Sequence, residues 1–199
     1  MPIEYGTGKF ISYPKHIRKA MVNILRSYEN NFNSVLNEYT QDRVMIYLGA
    51  DKRAPHTPSI MVLADTENWE WLSTAGATGG PQKLLTVGLQ IVPQVALISP
   101  EQAEDAIQDF VAVIISVLEA NLQFNVTITD NILAADSPLA IGVWDSWILN
   151  GTNIEYKYRM SGALRAANIK WQGKVDYLSP LLTSAASFSS SVTQADLEV

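Results

Sequence analysis

Two histidines and no cysteine leave this 199-residue chain little of the usual equipment for catalysis or metal binding. His16 sits in a helical pattern and His56 between two prolines, so no pair of histidines has the helical spacing that holds zinc. Without cysteine there is no disulfide, no thiolate nucleophile and no thiolate metal site. What remains for chemistry is carboxylate. Asp130, Asp136 and Asp145 are the set from which an acid and a base could be drawn, if two of them shared a cleft. As loop residues they serve equally well to cap turns and hold water. Asp65, Glu67 and Glu70 surround Trp69 and Trp71, but the Asp-x-Asp-x-Asp-Gly pattern of a calcium loop is absent. Gly6-Thr7-Gly8-Lys9 matches part of a phosphate loop, lacks the rest of G-x-x-x-x-G-K-[ST] and follows no strand. The Gly76 to Pro81 stretch lacks G-x-G-x-x-G spacing and reads as a linker. These residues point to no cofactor, no bound metal and no enzyme.

Charge narrows the partners. A net charge of −6 with 14 Lys plus Arg argues against a general nucleic-acid binder, whose affinity comes mostly from neutralised phosphates. An acidic protein that merely surrounds DNA is compatible with this balance. Met1 to Tyr13 holds no apolar run of the signal-peptide kind, and no apolar segment reaches the roughly 20 residues of a membrane span. The chain therefore reads as soluble, or as part of a soluble assembly. At this length one domain buries roughly 70% of its unfolded surface and needs no staple.

The elements follow in order. Pro14 suits a first helical turn with Ser12 as cap, and Ile17, Met21, Ile24, Leu25, Tyr28, Phe32, Val35, Leu36 and Tyr39 recur at helical spacing. Unbroken, that helix is roughly 39 Å long at about 1.5 Å per residue, so a break near Asn30-Asn31 is expected. Its polar face carries Lys15, His16, Arg18, Lys19 and Arg26, then Glu29 and Glu38 further on. Val44 to Leu48 and Ser59 to Ala64 read as strands around a loop. Leu84 to Ile98 alternates as a strand, where Pro93 demands a bulge, an edge position or two shorter strands. Ser99-Pro100-Glu101-Gln102 supplies a cap, a first-turn proline and a capping-box glutamine, opening a helix to about Asn121 that is nearly apolar between Phe110 and Leu118. Leu122 to Thr129 is a further strand.

The longest β signal lies from Leu139 to Tyr177. Asn150-Gly151 between alternating runs predicts a hairpin pairing Val143–Leu149 with Thr152–Met160. Leu164 to Tyr177 then alternates Ile169, Trp171, Val175 and Tyr177 against polar residues. A strand of roughly 45 Å, at about 3.3 Å per residue, must bend, with Gly173 the expected place, or reach past its own domain. The whole is an α+β fold of two layers, a mostly antiparallel sheet with two helices packed on one face. Residues 1–13 form an extended arm, 14–178 one domain, and 179–199, rich in serine, threonine and alanine, a flexible arm.

This organisation resembles the tail terminator (tail-completion) and neck proteins of long-tailed bacteriophages. The resemblance is carried by the helix Ile17 to Tyr39, the strands from Val44 to Ile98, the capped helix Ser99 to Asn121 and the closing run Ile141 to Tyr177, and it spans nearly the whole chain after the first arm. The segment Tyr156 to Ile169 also looks like the final strands of related neck components. The resemblance implies a structural virion protein without an active site: one subunit of a six-membered ring that caps the tail tube, meets sheath proteins where a tail has them, and docks on the head connector or stopper. DNA passes its lumen without specific binding, no membrane is involved, and assembly takes place in the host cytoplasm. For the ring interface the expected residues are Trp69, Trp71, Trp147, Arg159 and Arg165, because aromatic residues and arginine are enriched at interfaces. Trp144 and Trp171 are expected in the core. The alternatives are another neck component (adaptor, stopper or connector), a monomeric module whose sheet edge takes up a partner strand, and a carboxylate-dependent enzyme.

Overall fold

A computed structural model of the protein describes residues 13–49, 56–73, 82–128, 139–149, 157–158 and 164–178. The expected arm at 1–13, apart from Tyr13, which opens the first helix, the expected arm at 179–199, the Gly76 to Pro81 stretch, Asp130, Asp136 and Arg159 lie outside the described residues. The order of elements is α1 (Tyr13–Ser27), α2 (Glu29–Leu36), β1 (Met45–Leu48), β2 (Ser59–Ser73), β3 (Gln82–Ala96), α3 (Pro100–Ala120), β4 (Phe124–Ile128), β5 (Leu139–Ile148), β6 (Lys157–Tyr158), β7 (Leu164–Ala166) and β8 (Ile169–Leu178). The fold is α+β, and among the described residues its eight-stranded sheet runs β1-β2-β3-β8-β5-β4, with β7 beside β3 and β6 beside β7. Every pairing is antiparallel except β1 with β2.

One face of that sheet makes the core. Leu85, Val87, Leu89 and Ile91 alternate inward on β3, joined by Ile169, Trp171 and Val175 on β8 and Val143 on β5, all buried. Above them α3 lays down Ala103, Ala106, Ile107, Phe110, Val111, Ile114, Val117 and Leu118, spaced three and four apart so that they share one stripe. The Ser99 hydroxyl accepts from the Gln102 N–H at 3.4 Å, and Pro100 opens the helix as its sequence requires. Phe32 of α2 meets Phe110 edge to face, with ring centroids 5.8 Å apart. Helix α1 packs on β1 and β2 at one side of the sheet and on β4 at the other, so the sheet curls around it.

Several expectations are corrected. The first helical run does break, at Tyr28, two residues ahead of Asn30, giving three helices in place of two. His16 is buried, on the core side of α1 and not on its polar face. β2 does not stop at Ala64 but continues to Ser73 along β3, past a register shift between Ala64 and Glu67. β3 runs unbroken through Pro93 between two neighbours. The strand beside it is interrupted there instead: β3 changes partner from Ile169 of β8 at Ile91 to Ala166 of β7 at Gln94. The Ala167 N–H donates to the Pro93 carbonyl at 3.1 Å, so the N–H that proline lacks would have faced this same gap. The long strand therefore breaks at Ala167-Asn168 and passes straight through Gly173.

The hairpin is the largest correction. β5 is antiparallel to β8, and β6 is antiparallel to β7. Since β7 and β8 lie one after the other along β3, β5 beside β8 and β6 beside β7 run in the same direction and in line with each other. Lys157 and Tyr158 pair with Ala166 and Arg165, not with β5. Residues 150–156 lie outside the described residues.

Candidate functional site

The outer face of the sheet, away from the helices, gathers polar and aromatic side chains around Lys174. Register places Asp145 opposite Lys174 and Trp147 opposite Gln172. The Lys174 ammonium lies 5.0 Å from the Trp147 ring centroid and 5.7 Å from that of Trp144, and 3.5 Å from the Asp145 carboxylate. Such a cation over aromatic faces adds roughly 0.5–1 kcal/mol at an exposed site. The arrangement depends on a register shift between Val143 and Asp145, which turns Asp145 and Trp147 outward while Ser146 turns in to donate to the Leu122 carbonyl at 2.8 Å. No run of residue types announces that shift, so only the pairing reveals that Lys174 is the hub.

The residues expected at an interface take different places. Trp147 is half-buried in this cluster, and Trp144, expected in the core, is 44% exposed. Trp171 is buried as expected. Trp69 is 40% exposed and pairs with Leu85, which puts it on the helix side at the far end of β2. Arg165 also faces the helices: its Nε meets the Glu104 carboxylate at 3.1 Å and ties β7 to α3. The backbone of Trp71 pairs with Lys83, its side chain lying outside the described residues, as does Arg159.

Of the three candidate catalytic carboxylates only Asp145 is described, and Lys174 holds it. A depression of about 220 Å³ on the outer face is lined by Met61, Leu63, Gln90, Val92, Gln94, Leu164 and Ala166–Asn168, and contains no ionisable side chain. A second, of about 290 Å³, collects Glu101, Glu104 and Asp105 beside Arg165 at the start of α3. Among the described residues no group of three or more histidine, aspartate or glutamate side chains stands where it could hold a metal ion, and no helix is long and apolar enough to cross a membrane. Among the described residues the titration of Tyr39 is displaced. The Tyr39 hydroxyl donates to Asp109 Oδ2 at 2.7 Å, and that bond, with desolvation and the charges of Asp109, Asp105 and Glu38, raises its pKa to about 12.

Among the described residues the sheet also leaves edge unpaired. β1 covers β2 only from Ser59 to Val62, and beyond it no described strand lies on the outer edge of β2, where Ala64 to Glu70 are all exposed. Asp65 is held by the Gln90 amide at 2.5 Å, whereas Glu67 and Glu70 have no ion-pair partner among the described residues.

No family model matches this chain, and no curated protein matches it. Among solved structures, a chain of the virion of a native gene transfer agent particle aligns with 83% of this chain and 100% of its own length, at 11% identity and a TM-score of 0.42. A likeness that slight assigns neither fold nor role.

Proposed function

We propose that the protein is a structural virion component, a ring-forming subunit at the head–tail junction of a long-tailed bacteriophage that ends the tail tube and joins it to the head connector. The observation that carries this reading is the order and packing of elements: an N-terminal amphipathic helical run, strands β1 to β3, the capped helix α3, and a closing antiparallel run over which the helices lie. A ring subunit needs a rigid body and sheet edge or side-chain surface left over for its neighbours. The core stripe of α3 supplies the first, and the length of β2 that no described strand covers, with the exposed tryptophans, supplies the second. The charge of −6 suits a lumen through which DNA slides, because a cationic lining would retain phosphates. Catalysis plays no part in this reading.

The test is the mass of the purified protein by light scattering, with negative-stain images of any assembly, alone and with tail tubes. Closed rings, alone or on tube ends, are expected. A protein that stays monomeric at high concentration and ignores tail tubes refutes the reading and returns attention to the carboxylates.

A further inference from the structure

Among the described residues two elements carry opposite charge, α1 on its exposed face and β2 along its edge, where Glu67 and Glu70 project to opposite faces of the sheet. Helix α1 contains Lys15, Arg18, Lys19 and Arg26 and no acidic residue. Its apolar stripe of Ile17, Met21, Val22 and Leu25 is buried, which leaves Lys15 and Lys19 exposed on the opposite side. Arg26 is tethered through the Ile46 carbonyl at 3.1 Å, and Arg18 keeps a buried Nε with no hydrogen-bond partner. Strand β2 is the converse, with Asp65, Glu67 and Glu70 and no cation anywhere from Ser59 to Ser73. Its acidic half is the half that β1 leaves uncovered. Although α1 packs on β2 within one chain, Lys15, Lys19, Glu67 and Glu70 form no ion pair among the described residues.

We propose that copies of the chain assemble head to tail, the cationic face of α1 in one copy lying against the acidic, uncovered length of β2 in the next. The inference rests on the ring reading and names its interface. Like charge prevents α1 from meeting α1, or β2 from meeting β2, across a two-fold axis, and acid along an edge is also what keeps two such strands from pairing. The contact that remains is between unlike surfaces, and a contact of that kind repeats from copy to copy until it closes. Charge complementarity sets the partner and register, and makes assembly weaken with salt.

The experiment uses two variants of the full chain, Lys15→Glu with Lys19→Glu, and Glu67→Lys with Glu70→Lys. Each is measured alone and in equimolar mixture by light scattering, at low and high salt, with melting curves as the check on folding. Each variant alone is expected to associate at least about a hundredfold more weakly than the parent, since its own two surfaces now repel. The mixture is expected to recover assemblies in which the variants alternate, because the reversed α1 of one fits the reversed β2 of the other. If a double variant does not fold, Lys19→Glu and Glu70→Lys replace it. Folded variants that assemble like the parent, or a folded mixture that stays monomeric, overturn the proposal while the ring reading stands. A parent that never assembles, alone or on tail tubes, overturns both.

Discussion

Gly173→Ala is a small change with a large expected effect. Gly173 lies two residues beyond Trp171 on β8, so both positions face the core, and the indole of Trp171 leans along the strand over the glycine. A Cβ at 173 would stand 2.8 Å from Cζ2 of that ring and 3.0 Å from Cγ1 of Val143. Neither neighbour has room to give way: Trp171 and Val143 are each 1% exposed, and Phe124 packs on the indole with ring centroids 6.0 Å apart. Forcing a methyl group into such a site costs about 1–3 kcal/mol, and the upper half of that range applies where a ring cannot swing out to solvent. For a domain of this size that is a fall in Tm of about 5–10 °C. Urea and thermal unfolding of the parent, Gly173→Ala, Trp171→Phe and the double variant form a cycle. In the Trp171→Phe background the alanine should cost under about 1 kcal/mol, because the smaller ring clears the space. A Gly173→Ala protein as stable as the parent, or one whose loss is the same in both backgrounds, refutes the packing argument.

Two further outcomes follow from single hydrogen bonds. Ser99→Ala should lower stability by about 0.5–1 kcal/mol in urea unfolding, at the modest end for an N-cap because the bond to Gln102 is long at 3.4 Å. Tyr39 has a folded pKa raised from 10.0 to about 12, so it binds its proton more tightly in the folded state than in the unfolded one. Its contribution is then complete below pH 10.0 and is lost as pH rises toward about 12, where the ionised oxygen would face Asp109. In unfolding measured across that window, Tyr39→Phe should lack this part of the parent's alkaline loss, and identical pH slopes for the two proteins would count against the bond.

The α+β class and helix α3 were legible because their signals are local. A cap, a first-turn proline and a three-and-four apolar stripe act within a few residues of each other, and the structure places α3 within a residue of the expected start and end. The same holds for β1 and β4, whose bounds agree with the pattern to within two residues. The partner of each strand was not legible, because a strand's alternation states which face is buried but not which edge is satisfied. Asn150-Gly151 carries turn propensity, yet propensity does not choose between folding β6 back on β5 and running it onward beside β7; the described pairing of Lys157 with Ala166 decides for the second.

The candidate interface shows the same division. Residue type alone nominated Trp69, Trp147 and Arg165, and type says nothing of direction. Strict alternation from Val143 would send Trp147 inward with it; the shift before Asp145 sends it out beside Trp144 and Lys174. Arg165 faces Glu104 because β7 pairs with β3 in the register that sets Arg165 opposite the buried Val95. Composition by itself determined the scarcity of catalytic groups and the acidic balance, and the order of residues set cations in the first helix and carboxylates just beyond Ala64. Only the tertiary structure decided which of those charges stay uncovered, because exposure depends on how far β1 reaches along β2 and on which face of α1 the core takes.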